Sequence, residues 1–184
     1  MSGFLQSGRP PLILASGSKI RAQLLAGAGL AFIVEPPGLD ESAMRQAIGG
    51  EGVLEAQDVA EVLARAKAEA VSELAPGAFV IGADQVLAFG DRILSKPDSM
   101  EAARAQLLDL SGKSHTLHTA AAVAKGGEVV WSHSEASTLR MRKLTPEFIG
   151  RYLAETSSAM TAYVGSRCVA RLVNVWSCWS CLCC

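Results

Sequence analysis

Three short stretches hold side chains suited to work on a phosphate ester or anhydride: Ala15-Ser16-Gly17-Ser18-Lys19-Ile20-Arg21, Gly82-Ala83-Asp84-Gln85 and Ser95-Lys96-Pro97. The first follows the apolar run Leu12-Ile13-Leu14 and opens a segment with helical spacing at Ile20, Leu24 and Leu25. A strand that breaks at small and hydroxyl residues and then enters a helix aims free backbone N–H groups at one point. Those amides and the positive end of the helix dipole both favour phosphate. Arg21 falls on the first helical turn, where a cation opposes the dipole at a cost of roughly a few tenths of a kcal/mol. An anion between the guanidinium and the amides would give that placement a physical reason.

The remaining polar candidates read two ways from the residues alone. Asp84 follows Phe79-Val80-Ile81-Gly82-Ala83 and is expected where a buried strand ends, the edge at which open α/β sheets bind ligands. It either binds a divalent metal or orients a water there, or it simply turns the chain. Asp40 and Glu41 follow a Pro-Pro-Gly loop and suit the first turn of a helix, where acids complement the dipole. Lys67 lies on a helix with Ala64, Ala66, Ala68 and Ala70, so it is either solvated or directed into a cleft. Lys96 precedes Pro97, which holds its backbone extended; it is either a fixed phosphate contact or a surface lysine. His115, His118 and His133 have no carboxylate or cysteine at ligand spacing and read as structural. Neither G-x-G-x-x-G nor G-x-x-x-x-G-K-[ST] occurs, which removes the standard dinucleotide and NTPase loops.

The elements that must position these residues alternate between strand and helix. Residues 12–15 and 32–34 read as strands, with a helix over 18–28 between them capped by Ser16 or Ser18. Residues 58–74 form an amphipathic helix whose apolar face is expected at Val59, Val62, Leu63, Ala66, Ala70 and Leu74. Phe79-Val80-Ile81 reads as a central strand, and Gln85–Phe89 with Arg92–Leu94 as a hairpin over Gly90-Asp91. Ser99 caps a helix to about Leu110, long strands follow at 115–124 and 128–140, and Thr145-Pro146-Glu147 starts a last helix. The pattern predicts an α/β fold with a mixed sheet.

With 184 residues the chain fits one domain, and 49% hydrophobic against 19% charged residues describes a globular protein. A net charge of −1 argues against broad nucleic-acid binding. No apolar run approaches the roughly 20 residues of a membrane span, and the start has no signal-peptide pattern, so a cytoplasmic enzyme is expected. Cysteine use divides the chain at about residue 160. Cys168, Cys178, Cys181, Cys183 and Cys184 all fall in the last stretch, with Trp176 and Trp179. Thiolates at such spacing could share zinc, but the abrupt change of composition reads better as a divergent tail over 161–184 after a domain over 1–160.

Taken in order, these residues resemble the Maf family of nucleoside triphosphate pyrophosphatases from about Pro11 to Leu153. The resemblance is carried by Leu12-Ile13-Leu14-Ala15-Ser16-x-Ser18-x-x-Arg21, Asp40-Glu41, Ala66-Lys67-Ala68, Gly82-Ala83-Asp84-Gln85, Lys96-Pro97 and Leu110-Ser111-Gly112-Lys113-Ser114-His115. It implies a fold akin to inosine triphosphate pyrophosphatases, a twisted mixed sheet with helices on both faces and a cleft between two lobes. It implies cleavage between the α and β phosphorus of a nucleotide with Mg²⁺ or Mn²⁺. Ser16, Ser18, Arg21 and Lys96 match positions near the phosphates. Glu41 and Asp84 match the acids that meet the metal, Lys67 the helical lysine, and Asp84 the proton acceptor. Ile20 and Gln85 fall where members differ by preferred base; Gln85 is similar to the branch acting on 7-methyl-GTP, whereas Ile20 lacks the ring that would stack on a methylated base. Family members commonly pair, so a homodimer is consistent with the resemblance. Lys19 stands where the family usually has proline, and the tail departs from the family's Gly-rich closing strands. That departure keeps a second expectation in view, a catalytically impaired nucleotide-binding or cell-division-regulating protein.

Overall fold

Residues 10–50 and 55–160 are described by a computed structural model. The cysteine- and tryptophan-rich tail, with the zinc expectation attached to it, lies outside the described residues. Strand β1 (Leu12–Ala15) is a continuous apolar run, and Ile13, Leu14 and Ala15 are buried as such a run should be. Helix α1 (Lys19–Gly27) starts at the N-cap Ser18 and buries none of its residues. Strand β2 (Ile33–Val34) returns parallel to β1, pairing Ile13 with Ile33 and Leu14 with Val34. Helix α2 (Glu41–Gly50) is capped by Asp40, whose Oδ1 accepts from the Ala43 N–H at 3.0 Å.

Helix α3 (Ala56–Leu74) buries Val59 and Leu63 as expected but turns away from the rest of the expected face. Val62 and Leu74 are exposed, whereas Ala60, Leu63, Ala64, Lys67, Ala68, Val71 and Ser72 face inward. The reason lies in strand β3 (Phe79–Phe89). A Cβ on Gly82 would collide with the Ala64 carbonyl oxygen and come within 2.6 Å of the Ala68 nitrogen. Alanines one turn apart and a glycine beneath them let helix and strand approach closely, and that contact outweighs the larger apolar residues in choosing the face. Strand β3 also corrects the expected break after Ile81: it is one strand of 11 residues, and its first part pairs parallel with β1 from Leu12–Phe79 to Ala15–Gly82. Its last residues pair antiparallel with β4 (Arg92–Leu94), the expected hairpin.

Helix α4 (Met100–Leu110) is capped by Ser99, which accepts from the Ala102 N–H at 3.1 Å. Strands β5 (Ser114–Lys125) and β6 (Glu128–Arg140) meet over Gly126 and Gly127, both at positive φ. Helix α5 (Pro146–Met160) begins where Thr145 Oγ1 accepts from the Phe148 N–H at 3.2 Å. The sheet runs β2-β1-β3-β5-β6, with β4 paired to β3 off that path. The fold class is therefore α/β with a mixed sheet.

The chain divides into two compact units. The first comprises residues up to Val86 together with His118–Ala136; its core includes Ile13, Ala15, Val71, Ala78 and Val80. The second comprises Leu87–Leu117 and residues from Ser137 onward, with a core that includes Leu107, Leu110, Leu117, Met141, Leu144, Ile149 and Leu153. Alternation of buried residues slips where β3 and β5 pass from one unit to the other. In β3 the buried positions 80, 82, 84 and 86 are followed directly by 87, and in β5 115 and 117 are followed by 120, 122 and 124.

Candidate active site

The Ser-x-Ser-x-x-Arg stretch closes on itself at the end of β1. The buried Ser16 hydroxyl accepts from the Ser18 N–H at 3.2 Å and from Arg21 Nη1 at 3.0 Å. Ser18 Oγ accepts from the Arg21 N–H at 3.5 Å, capping α1. The helix has no acid in its first turn, where Lys19 and Arg21 stand instead. Two hydroxyls and a guanidinium thus gather at the positive end of a helix, an arrangement suited to an anion.

Asp84 lies two residues past Gly82, the last β3 residue paired with β1, so it stands beyond the end of that neighbour while still inside β3. It shares the alternating buried positions of Val80, Gly82 and Val86. Its carboxylate is held on both oxygens: Oδ1 accepts from Lys67 Nζ at 2.7 Å and Oδ2 from Arg45 Nη2 at 2.9 Å. Lys67 also pairs with Glu41 Oε1 at 2.9 Å. Only 3% of the Lys67 side chain and 4% of that of Asp84 are exposed. An unpaired buried charge is very costly, and the two carboxylates supply the partners that such a place demands. Lys67 is therefore neither solvated nor free in a cleft; the close α3–β3 packing at Gly82 carries it to Asp84.

Arg21 belongs to the same electrostatic cluster. Burial pushes its pKa down, Asp84 and Glu41 draw it back up, and Arg45 opposes it as a like charge. Three cations, Arg21, Arg45 and Lys67, face two carboxylates, Glu41 and Asp84. The excess positive charge beside a helix N-terminus suits a polyanion.

The sequence candidates Ser16, Ser18, Arg21, Glu41, Lys67 and Asp84 thus gather in the first unit. Gln85 takes the alternate position on β3, and its Nε2 donates to Thr119 Oγ1 on β5 at 2.8 Å. Ile20 is half-buried on α1. Lys96 belongs to the second unit, exposed on the loop after β4, where it lines a hollow of 430 Å³ with Arg92, Pro97, Gln106 and Asp109. Gln106 Nε2 donates to the Ser95 carbonyl at 3.4 Å, which ties that loop to α4. Sequence reasoning missed Arg45. It follows Glu41 by one helical turn on α2, and that spacing is the signal that would have found it.

The family model described as "Maf-like protein" matches residues 11–174. A relative from Mesorhizobium japonicum named 7-methyl-GTP pyrophosphatase is 46% identical over 155 residues, covering 84% of this chain and 77% of the relative. A Ruegeria pomeroyi relative named nucleoside triphosphate pyrophosphatase is 44% identical over the same shares. A solved dITP/XTP pyrophosphatase from Mycobacterium abscessus aligns at TM-score 0.42 and 16% identity, covering 83% of this chain and 96% of that one, too distant to add to the argument.

Proposed function

The chain belongs to the Maf family, and from that premise we propose that it hydrolyses nucleoside triphosphates between the α and β phosphorus, releasing a monophosphate and pyrophosphate. The observation that carries the reading is the buried Asp84 carboxylate, held by Lys67 and Arg45 beside Glu41, in the unit that holds the Ser16–Arg21 anion cradle. In this mechanism the α1 amides, Ser16, Ser18 and Arg21 bind phosphate oxygens. Asp84 orients and deprotonates the attacking water in line with the leaving pyrophosphate. Lys67 holds that carboxylate in place, while the cations of the cluster offset charge developing on the bridging oxygen.

A divalent cation fits this donor set in one form. Among the described residues no group of three or more His, Cys, Asp or Glu side chains could hold a metal ion. Glu41 and Asp84 offer hard oxygens to Mg²⁺ or Mn²⁺, which commonly take one or two carboxylates and complete their shell with substrate phosphates and water. Such a cation would arrive with the nucleotide and supply charge neutralisation at the phosphates.

The names of the relatives make 7-methyl-GTP the first nucleotide to try, and the cytoplasm is the proposed setting. Gln85, anchored on Thr119, is proposed to influence base preference by fixing the β3–β5 contact, with Ile20 at the start of α1. The experiment is pyrophosphate release from a panel of ordinary and methylated nucleotides with Mg²⁺. Turnover is expected on at least one of them, with Asp84→Asn reducing kcat by about 100-fold or more. Binding of nucleotides without pyrophosphate would leave a nucleotide-binding regulator in its place.

A further inference from the structure

Both oxygens of Asp84 are occupied, and the two partners differ in how freely they can leave. Lys67 is buried on α3 and shared with Glu41, so withdrawing it would strand an ammonium away from water. Arg45 is on α2, makes its 2.9 Å contact with Oδ2, and has 29% of its side chain exposed. It also stands near enough to Arg21 for the two like charges to oppose one another. A polyphosphate entering between those guanidiniums would relieve the repulsion and offer each a bidentate partner, the geometry guanidinium binds best.

We propose that Arg45 is a displaceable clamp on Asp84: it covers Oδ2 in the nucleotide-free protein and transfers to the polyphosphate when substrate binds, freeing that oxygen for the reaction. This rests on the pyrophosphatase reading of the site and adds a residue to it. The clamp keeps a buried carboxylate paired while the site waits, and makes Oδ2 available to water or a cation only once a triphosphate is present. Arg45 is thus a positioning residue for Asp84 in one state and a phosphate ligand in the other.

The test uses the full chain and two readouts that need no turnover. Mn²⁺ binding without nucleotide is followed by the paramagnetic resonance signal of the free ion. Arg45→Gln is expected to bind Mn²⁺ about five-fold or more tightly than the unaltered chain, because the competing cation is gone. Binding of an α,β-methylene nucleoside triphosphate without metal is followed by calorimetry; Arg45→Gln is expected to weaken it about ten-fold or more through loss of a charge-assisted contact. Arg45→Lys keeps the cation and is expected to fall between the two in both assays, which covers the case of a misfolded glutamine variant. Unchanged or weaker Mn²⁺ binding in Arg45→Gln overturns the clamp, and so does unchanged affinity for the analogue. Either result alongside normal pyrophosphate release by the unaltered chain removes only the role of Arg45. Absence of nucleotide binding by the unaltered chain removes the pyrophosphatase reading instead, and the metal-only arm still decides whether Arg45 covers Asp84.

Discussion

His115 shows what a single buried polar side chain can cost. It is 2% exposed near the start of β5, and neither ring nitrogen has a hydrogen-bond partner among the described residues. Burial alone pushes its pKa below the ordinary 6.5. Above that pH both folded and unfolded chains hold a neutral ring, and no stability depends on it. As pH falls through 6.5 the unfolded chain takes up a proton that the folded chain refuses, so stability is lost toward acid. The urea midpoint is therefore expected to drop between about pH 7.5 and about pH 5.5, and to drop less in His115→Leu; equal drops would refute the account. At the same scale, the Ser16-to-Arg21 stretch has a chemical reason in its residues alone, whereas Glu41, Lys67 and Asp84 read two ways until the family resemblance singles them out. Arg45 was not legible, because its one signal, the single-turn spacing from Glu41, marks an ordinary helix pair until the fold brings the Asp84 carboxylate against it.

The elements teach a different lesson, about which face a helix chooses. Periodicity identified α3, but hydrophobic size pointed to Val62 and Leu74, which the structure exposes. Close approach decided the matter: the helix backbone lies directly over Gly82, and a helix set that near a strand must present its small residues. That same rotation buries Lys67. Gly82→Ala is expected to destabilise the protein by about 1–3 kcal/mol, since the added methyl meets backbone atoms that have no rotamer to escape into. A urea titration reads this directly, and a cost near zero would mean that α3 and β3 are less tightly fixed. The break expected after Ile81 failed for a related reason. Gly82 and Ala83 look like a turn in isolation, yet the strand simply continues past them on the alternation Val80, Gly82, Asp84, Val86.

Across the whole molecule, the two units share strands: β3, β5 and β6 each contribute residues to both. A domain joined by a linker can melt alone, but a unit that owns only part of each of three strands cannot unfold without fraying the same strands in the other unit. Heating is therefore expected to give one transition, with circular dichroism and tryptophan fluorescence, read from Trp131 after Trp176→Phe and Trp179→Phe, following the same curve. Separate midpoints would show that the units unfold independently. The α/β class and most element bounds were legible because strands and helices alternate with clear caps at Ser18, Ser99 and Thr145. The expectation of two lobes came from the family resemblance, whereas the points at which β3 and β5 pass from one unit to the other show only in the burial pattern of the folded chain.

Helix α1 sets no side chain fully into a core, and nine residues are too few to stay helical in water on their own strength. What steadies it comes from its first turn, where Ser16 and Ser18 tether the backbone and a side chain of Arg21. A negatively charged guest seated there would act as a cornerstone for the helix as well as its cargo, so recognition and local ordering become one event.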